Sequence, residues 1–191
     1  TYSCNITGSV PQMIQATMER FRNLIIREKV IKVPNQVEAL RIFNYPYQAI
    51  EEAVVNVFYH RDYMSCEPVT IEIEPDCINI MNFPGIDRSI SEKTISEGKR
   101  FVSRYYRNRR LGEFLKELDL SEGHSSGIPT IQEELEKNGS PRAEFFMDED
   151  RRAMRIRIPI HSAFLEEDDE VVKDDEKATK KSTKKMKQYS L

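Results

Sequence analysis

Gln48, Glu52, Asn56 and His60 recur at every fourth position of the stretch YQAIEEAVVNVFYHRDY. On a helix they form one row along one edge. Ala49, Ile50, Ala53, Val54 and Val57 share the broad apolar face beside that row, and the two alanines leave room next to Asn56 and His60. A carboxylate one turn before an amide makes an oxygen-rich edge suited to a hydrated cation. Magnesium prefers such sparse protein ligation, completed by water and phosphate oxygens. The plainer alternative is that Asn56 satisfies a backbone group and Glu52 is solvated.

A second stretch that could do chemistry is KRFVSRYYRNRR, Lys99 to Arg110. Its arginines and lysine could neutralise phosphates while its tyrosines stack on bases, as in single-strand binders. The same charges could cover the phosphates of a bound nucleotide, or simply pair with local acids such as Glu113 and Glu117. Two other readings fail. His60-Arg61-Asp62 matches the start of a kinase catalytic loop, but the chain has no glycine-rich loop on a strand and no Asp-Phe-Gly. No Gly-Lys-Ser/Thr occurs either, which excludes a P-loop and with it a helicase motor.

The elements that must position these residues follow from periodicity. An amphipathic helix is expected from about Pro11 to Glu28, then a mixed segment to Pro46, which suits the first turn of a helix running to His60. VTIEIE and CINIMNF alternate strictly around Pro75-Asp76 and predict a hairpin of half-buried strands. A long irregular stretch runs from Pro84 to about Ser103, and loops of that length are usually functional or mobile. RRLGEFLKELDL and GIPTIQEELEKNG predict two helices, and AEFFMDEDRRAMRIRIPI a second hairpin. This order predicts an α+β fold, a two-layer sandwich with helices on one face of a mixed, mainly antiparallel sheet.

The chain has 191 residues, 39% hydrophobic and 32% charged, with a formal net charge of -3. Any nucleic-acid contact must therefore come from a local patch. No apolar run is long enough for a membrane span and no signal segment opens the chain, so a cytoplasmic protein without a membrane partner is expected. Thr1 suggests a piece of a longer protein. Three unpaired cysteines and three scattered histidines argue for a reducing compartment and against a zinc site. From Glu166 onward an acidic block precedes a basic one with few apolar groups, which reads as a linker or solvated helix. The expected organisation is 1–45 as N-terminal helix and connecting segment, 46–161 as core, and 162–191 as charged tail.

Four pieces in order carry a family resemblance: YPYQAIEEAVVNVFYHRDY, CINIMNFPGI, RNRRLGEFLKELDL and HSSGIPTIQEELEKNG. Together they resemble the GHKL-type, Bergerat-fold ATPase-like module of bacterial Schlafen/AlbA-domain transcriptional regulators, often labelled RecG-related ATP-dependent DNA helicase. The resemblance implies ATP with magnesium as a ligand. Asn56 would meet the metal, Glu52 would polarise the attacking water, and His60 would lie at the same site. Asn82 would stand where an Asp usually receives the adenine amino group, followed by Gly85 in the adenine-side turn. Arg107 and Asn108 would match a lid Arg-Asn pair. Ser125, Ser126 and Gly127 would form the phosphate-side turn at a helix N-terminus, with Ser125 in place of a glycine. The layout implies DNA binding through neighbouring domains, including a winged helix beyond this chain, and possible homo-oligomers. Other functions left open are a nucleotide-free dimerisation or protein-binding module, and direct nucleic-acid binding through Lys99–Arg110.

Overall fold

Pro46 opens the central helix of the computed structural model, which describes residues 3–32, 39–98, 107–120 and 127–165. Proline's fixed φ suits the entry to a helix, and here Pro46 is the N-cap, at φ -64° and ψ 131°. Helix α2 (Tyr47–His60) follows, and its small and β-branched face, Ala49, Ile50, Ala53, Val54 and Val57, is wholly buried. It packs on α1 (Val10–Arg20), on α5 (Gly127–Lys137) and on strand β4 (Cys77–Asn82).

The sheet beneath is four-stranded, ordered β3 (Thr70–Ile73), β4, β6 (Met154–Pro159), β5 (Glu144–Met147). Every pairing in it is antiparallel, so the sheet is not mixed among the described residues. Adjacent pairs β3–β4 and β5–β6 are hairpins, which need no parallel crossover. Isoleucines at 78, 80, 156 and 158 form the row facing the helices, and with Ile14, Met18, Phe21, Ile131 and Leu135 they make one core. That core reaches from Ile14 to Phe164. The chain is thus an α+β sandwich with its helices on one face.

Four details depart from the sequence expectation. The first helix gives way to a π-helical turn at Phe21–Ile25, and the mixed segment contains an antiparallel ribbon of β1 (Glu28–Ile31) and β2 (Leu40–Phe43). Strand β4 does not alternate: Cys77, Ile78, Asn79 and Ile80 are all buried. It is an interior strand, and Arg157, opposite Asn79, reaches back to Asp76 at 2.7 Å across the outer face. The irregular stretch contains a short helix, α3 (Glu92–Ser96), whose cap Ser91 accepts from the Thr94 N–H. The charged tail beyond Leu165 lies outside the described residues.

Candidate functional site

Helical spacing brings the first pair together directly. The Asn56 amide nitrogen donates to the Glu52 carboxylate at 2.8 Å and to the Glu52 carbonyl at 2.7 Å. With Nδ2 committed to Glu52, the oxygen Oδ1 is the atom left to face a ligand. Gly127, the first residue of α5, lies against this amide: a Cβ there would fall on the Asn56 side chain, 2.7 Å from its Cγ. The start of an 11-residue helix, whose first N–H groups have no intrahelical partner, thus abuts the amide of the central helix. Ser125 and Ser126 lie outside the described residues.

At the far end of β4, Asn82 continues the inward row of Ile78 and Ile80 and has no exposed surface. Both of its amide atoms, Oδ1 and Nδ2, lack a hydrogen-bond partner among the described residues. Two orphaned buried polar atoms on one side chain are uncommon in folded proteins, because each costs about 1–3 kcal/mol. The turn that follows is held from two sides. The Asp62 N–H donates to the Phe83 carbonyl at 2.9 Å, and the Gly85 N–H donates to the Arg151 carbonyl at 2.9 Å. A Cβ at Gly85 would lie 3.0 Å from the Ala153 carbonyl oxygen and 3.1 Å from that of Arg151, a tight fit that favours glycine at this close backbone approach.

Asn108 and Arg107 meet the C-terminal end of α2. The Asn108 amide donates to the carbonyls of Tyr59 and Arg61, both at 2.7 Å, which satisfies groups a helix end otherwise leaves bare. Asn108 is the N-cap of α4 (Arg109–Glu117) by position, but its side chain caps the end of α2 instead of its own helix. The Arg107 guanidinium lies 3.5 Å from the Asp62 carboxylate. Gly112 lets α4 approach this corner, since a Cβ there would lie 2.7 Å from the Tyr59 ring. Among residues 99–106 the remaining basic and aromatic groups lie outside the described residues, and Arg109 pairs with Glu113 at 3.3 Å.

The His60 ring lies tilted against that of Tyr59, with centroids 4.7 Å apart and planes at 41°. Burial, and then the Arg107 charge, lower its pKa to about 4, so the imidazole is neutral at pH 7 and contributes no charge toward a phosphate. Glu74, Asp76 and Cys77 lie close enough to share a cation. However, Arg157 already engages Asp76 at 2.7 Å, and burial pushes the Cys77 thiol up to about 11. Cys77 is therefore a protonated thiol under ordinary conditions.

Sequence reasoning missed two positioning residues. Asp62 ties the end of α2 to the Phe83 turn and also engages Arg107. Arg151, in the left-handed region at φ 54°, donates to the carbonyls of Asp87 and Ile90 at 2.8 Å each and holds the 84–91 segment on the second hairpin. The His-Arg-Asp motif pointed to the first. Nothing in the sequence pattern pointed to the second.

Residues 67–158 match the family model described as "Putative ATP-dependent DNA helicase recG C-terminal". Among solved structures, the crystal structure of the DIP2311 protein from Corynebacterium diphtheriae is similar, with a TM-score of 0.62 and 18% identity. The similarity covers 80% of this chain and 29% of that one, so this chain spans less than a third of the length of that protein. At that identity the likeness is one of fold. No curated protein matches the chain. No helix among the described residues is long and apolar enough to cross a membrane. Residues 67–158 thus resemble the RecG C-terminal type, and the helix-on-sheet architecture around them fits a GHKL-like ATPase-like module.

Proposed function

We propose that this module binds a magnesium nucleotide and acts as the nucleotide-sensing domain of a bacterial transcriptional regulator, with DNA bound by domains outside this chain. The observation that carries the nucleotide reading is the junction of Glu52, Asn56 and Gly127. It places an amide oxygen beside the N-terminus of α5, where partial positive charge from the helix favours an anion. The donor set suits magnesium, which takes few protein oxygens and completes its shell with water and phosphate. Asn56 would supply the protein oxygen, and the bound ion would neutralise phosphate charge. Glu52 holds the Asn56 Nδ2, which leaves Oδ1 as the amide's acceptor. If hydrolysis occurs, Glu52 is also the carboxylate in reach of that amide to take a proton from water.

Ligand-linked sensing follows from the connections. Asn56 is on α2, Gly127 opens α5, and the end of α2 is tied through Asn108 to α4 and through Asp62 to the Phe83 turn. A ligand held at these joints would bias how the segments between them sit, and a regulator could transmit that bias to neighbouring domains. The competing reading is a dimerisation or protein-binding module that keeps the fold without nucleotide. It is favoured by the Glu52–Asn56 pair, whose hydrogen bond is internal to one helix.

Thermal unfolding with ATP, with and without magnesium, separates the two. A hundredfold excess over Kd should add about 2.7 kcal/mol of stability, only when magnesium is present. Asn56→Ala should abolish the gain and leave the ligand-free melting within about 1 kcal/mol of the parent. No gain at millimolar nucleotide would support the binding-module reading.

A further inference from the structure

We propose that helix α4 is a self-association surface, on which two copies of this chain pair antiparallel about a two-fold axis passing beside Phe114. The inference does not depend on nucleotide binding. It rests on an apolar stripe that the fold leaves open, and on the order of the charges along its edge.

At about 100° per residue, Asn108, Gly112 and Leu115 share the inward side of α4. Gly112 and Leu115 are buried, and Asn108 meets the end of α2. One flank of the helix is charged and carries Arg109, Glu113 and Lys116, with Arg109 and Glu113 paired at 3.3 Å. The other flank is apolar, with Leu111, Phe114 and Leu118 at i, i+3 and i+7. Leu111 packs partly against the core, but Phe114 keeps 48% of its surface exposed and Leu118 44%. The turn that ends the helix holds Leu118 in line with the stripe. Asp119 there takes φ 54°, and the Leu120 N–H donates back to the Leu115 carbonyl at 2.9 Å.

The charges select the partner. Arg110 and Glu117, seven residues apart, border the same edge of the stripe, and both are exposed. Neither has an ion-pair partner among the described residues. An isologous contact matches residue i of one copy with residue j of the other, and the reverse. Antiparallel about Phe114, Leu111 meets the partner's Leu118, Phe114 meets the partner's Phe114, and Arg110 meets the partner's Glu117. One register satisfies all three matches. Parallel helices would set like charges together, which repels. A nucleic acid laid along the same edge would meet Glu117 with the wrong sign. A contact between two nine-residue helices falls below the roughly 1,200 Å² of a standard interface, so the dimer is weak and reversible.

Sedimentation equilibrium of the whole chain between about 10 μM and 1 mM tests this, with an expected Kd on the order of 0.1 mM. Phe114→Glu should keep the chain monomeric across that range. Arg110→Glu and Glu117→Arg should each weaken association at least about tenfold. The two together should restore it to within about threefold of the parent, because the charges are exchanged and not lost. Each change puts an acid nearer the start of α4 or a base nearer its end, which the helix dipole favours, so lost pairing would not reflect a lost helix. A chain still monomeric at about 1 mM would overturn the proposal and leave the stripe to a different partner. A dimer that survives Phe114→Glu, or a double variant as weak as either single one, would overturn it as well.

Discussion

The Asn56 side chain and the Gly127 backbone occupy adjoining space: a methyl group on Gly127 would lie 2.7 Å from the Asn56 Cγ. Two residues 71 positions apart in sequence are joined because α5 packs along α2. Glu52 holds the amide from the other side at 2.8 Å. The amide is fixed between a carboxylate and a helix start.

Gly127→Ala should therefore destabilise the fold by about 1–3 kcal/mol, the usual cost of overpacking a tight site. Combining it with Asn56→Ala should recover at least half of that loss, because the truncated side chain makes room. Urea unfolding of the two single variants and the double variant measures the coupling. Additive losses would show that Gly127 is constrained by something other than Asn56.

Asn108→Ala should cost about 1–2 kcal/mol, since it leaves the carbonyls of Tyr59 and Arg61 without their donor. Asn108→Asp should cost more, because a carboxylate placed against two carbonyl oxygens repels them. Equal midpoints for the two variants in chemical denaturation would contradict this role.

Burial holds the His60 pKa at about 4, below the ordinary value of 6.5. The unfolded chain takes up this proton more readily than the folded one, so the contribution of His60 is complete above pH 6.5. It is lost as pH falls from there toward 4. Over that window the loss should be roughly 2 kcal/mol for a ring that is largely but not wholly enclosed. Unfolding free energies at pH 7 and pH 4.5 should differ more for the parent than for His60→Gln. Parallel pH profiles would show that the ring titrates normally.

Gly85→Ala should destabilise by about 1–3 kcal/mol, because the added carbon meets two backbone carbonyls that cannot rotate away. If the turn also frames the base of a nucleotide, affinity for ATP should fall with it. Stability lost without affinity lost would confine Gly85 to a structural role.

Local pattern made most elements legible. The row Glu52, Asn56, His60 follows from helical spacing alone, and Glu52 and Asn56 do meet. The hairpins around Asp76 and near Arg151 follow from alternation and turn residues. What pattern could not show is which face of each element meets another, because that depends on residues far apart in the chain. Strand β4 alternates in sequence yet is buried on both faces, since Arg157 from β6 reaches across the outer one. Asn108 in sequence matches only half of a lid Arg-Asn pair, but tertiary packing aims it at the carbonyls of α2. Asn82 could be placed on its strand from sequence. Only the assembled core, which buries it fully and among the described residues provides no partner for either amide atom, made it a buried amide in need of one.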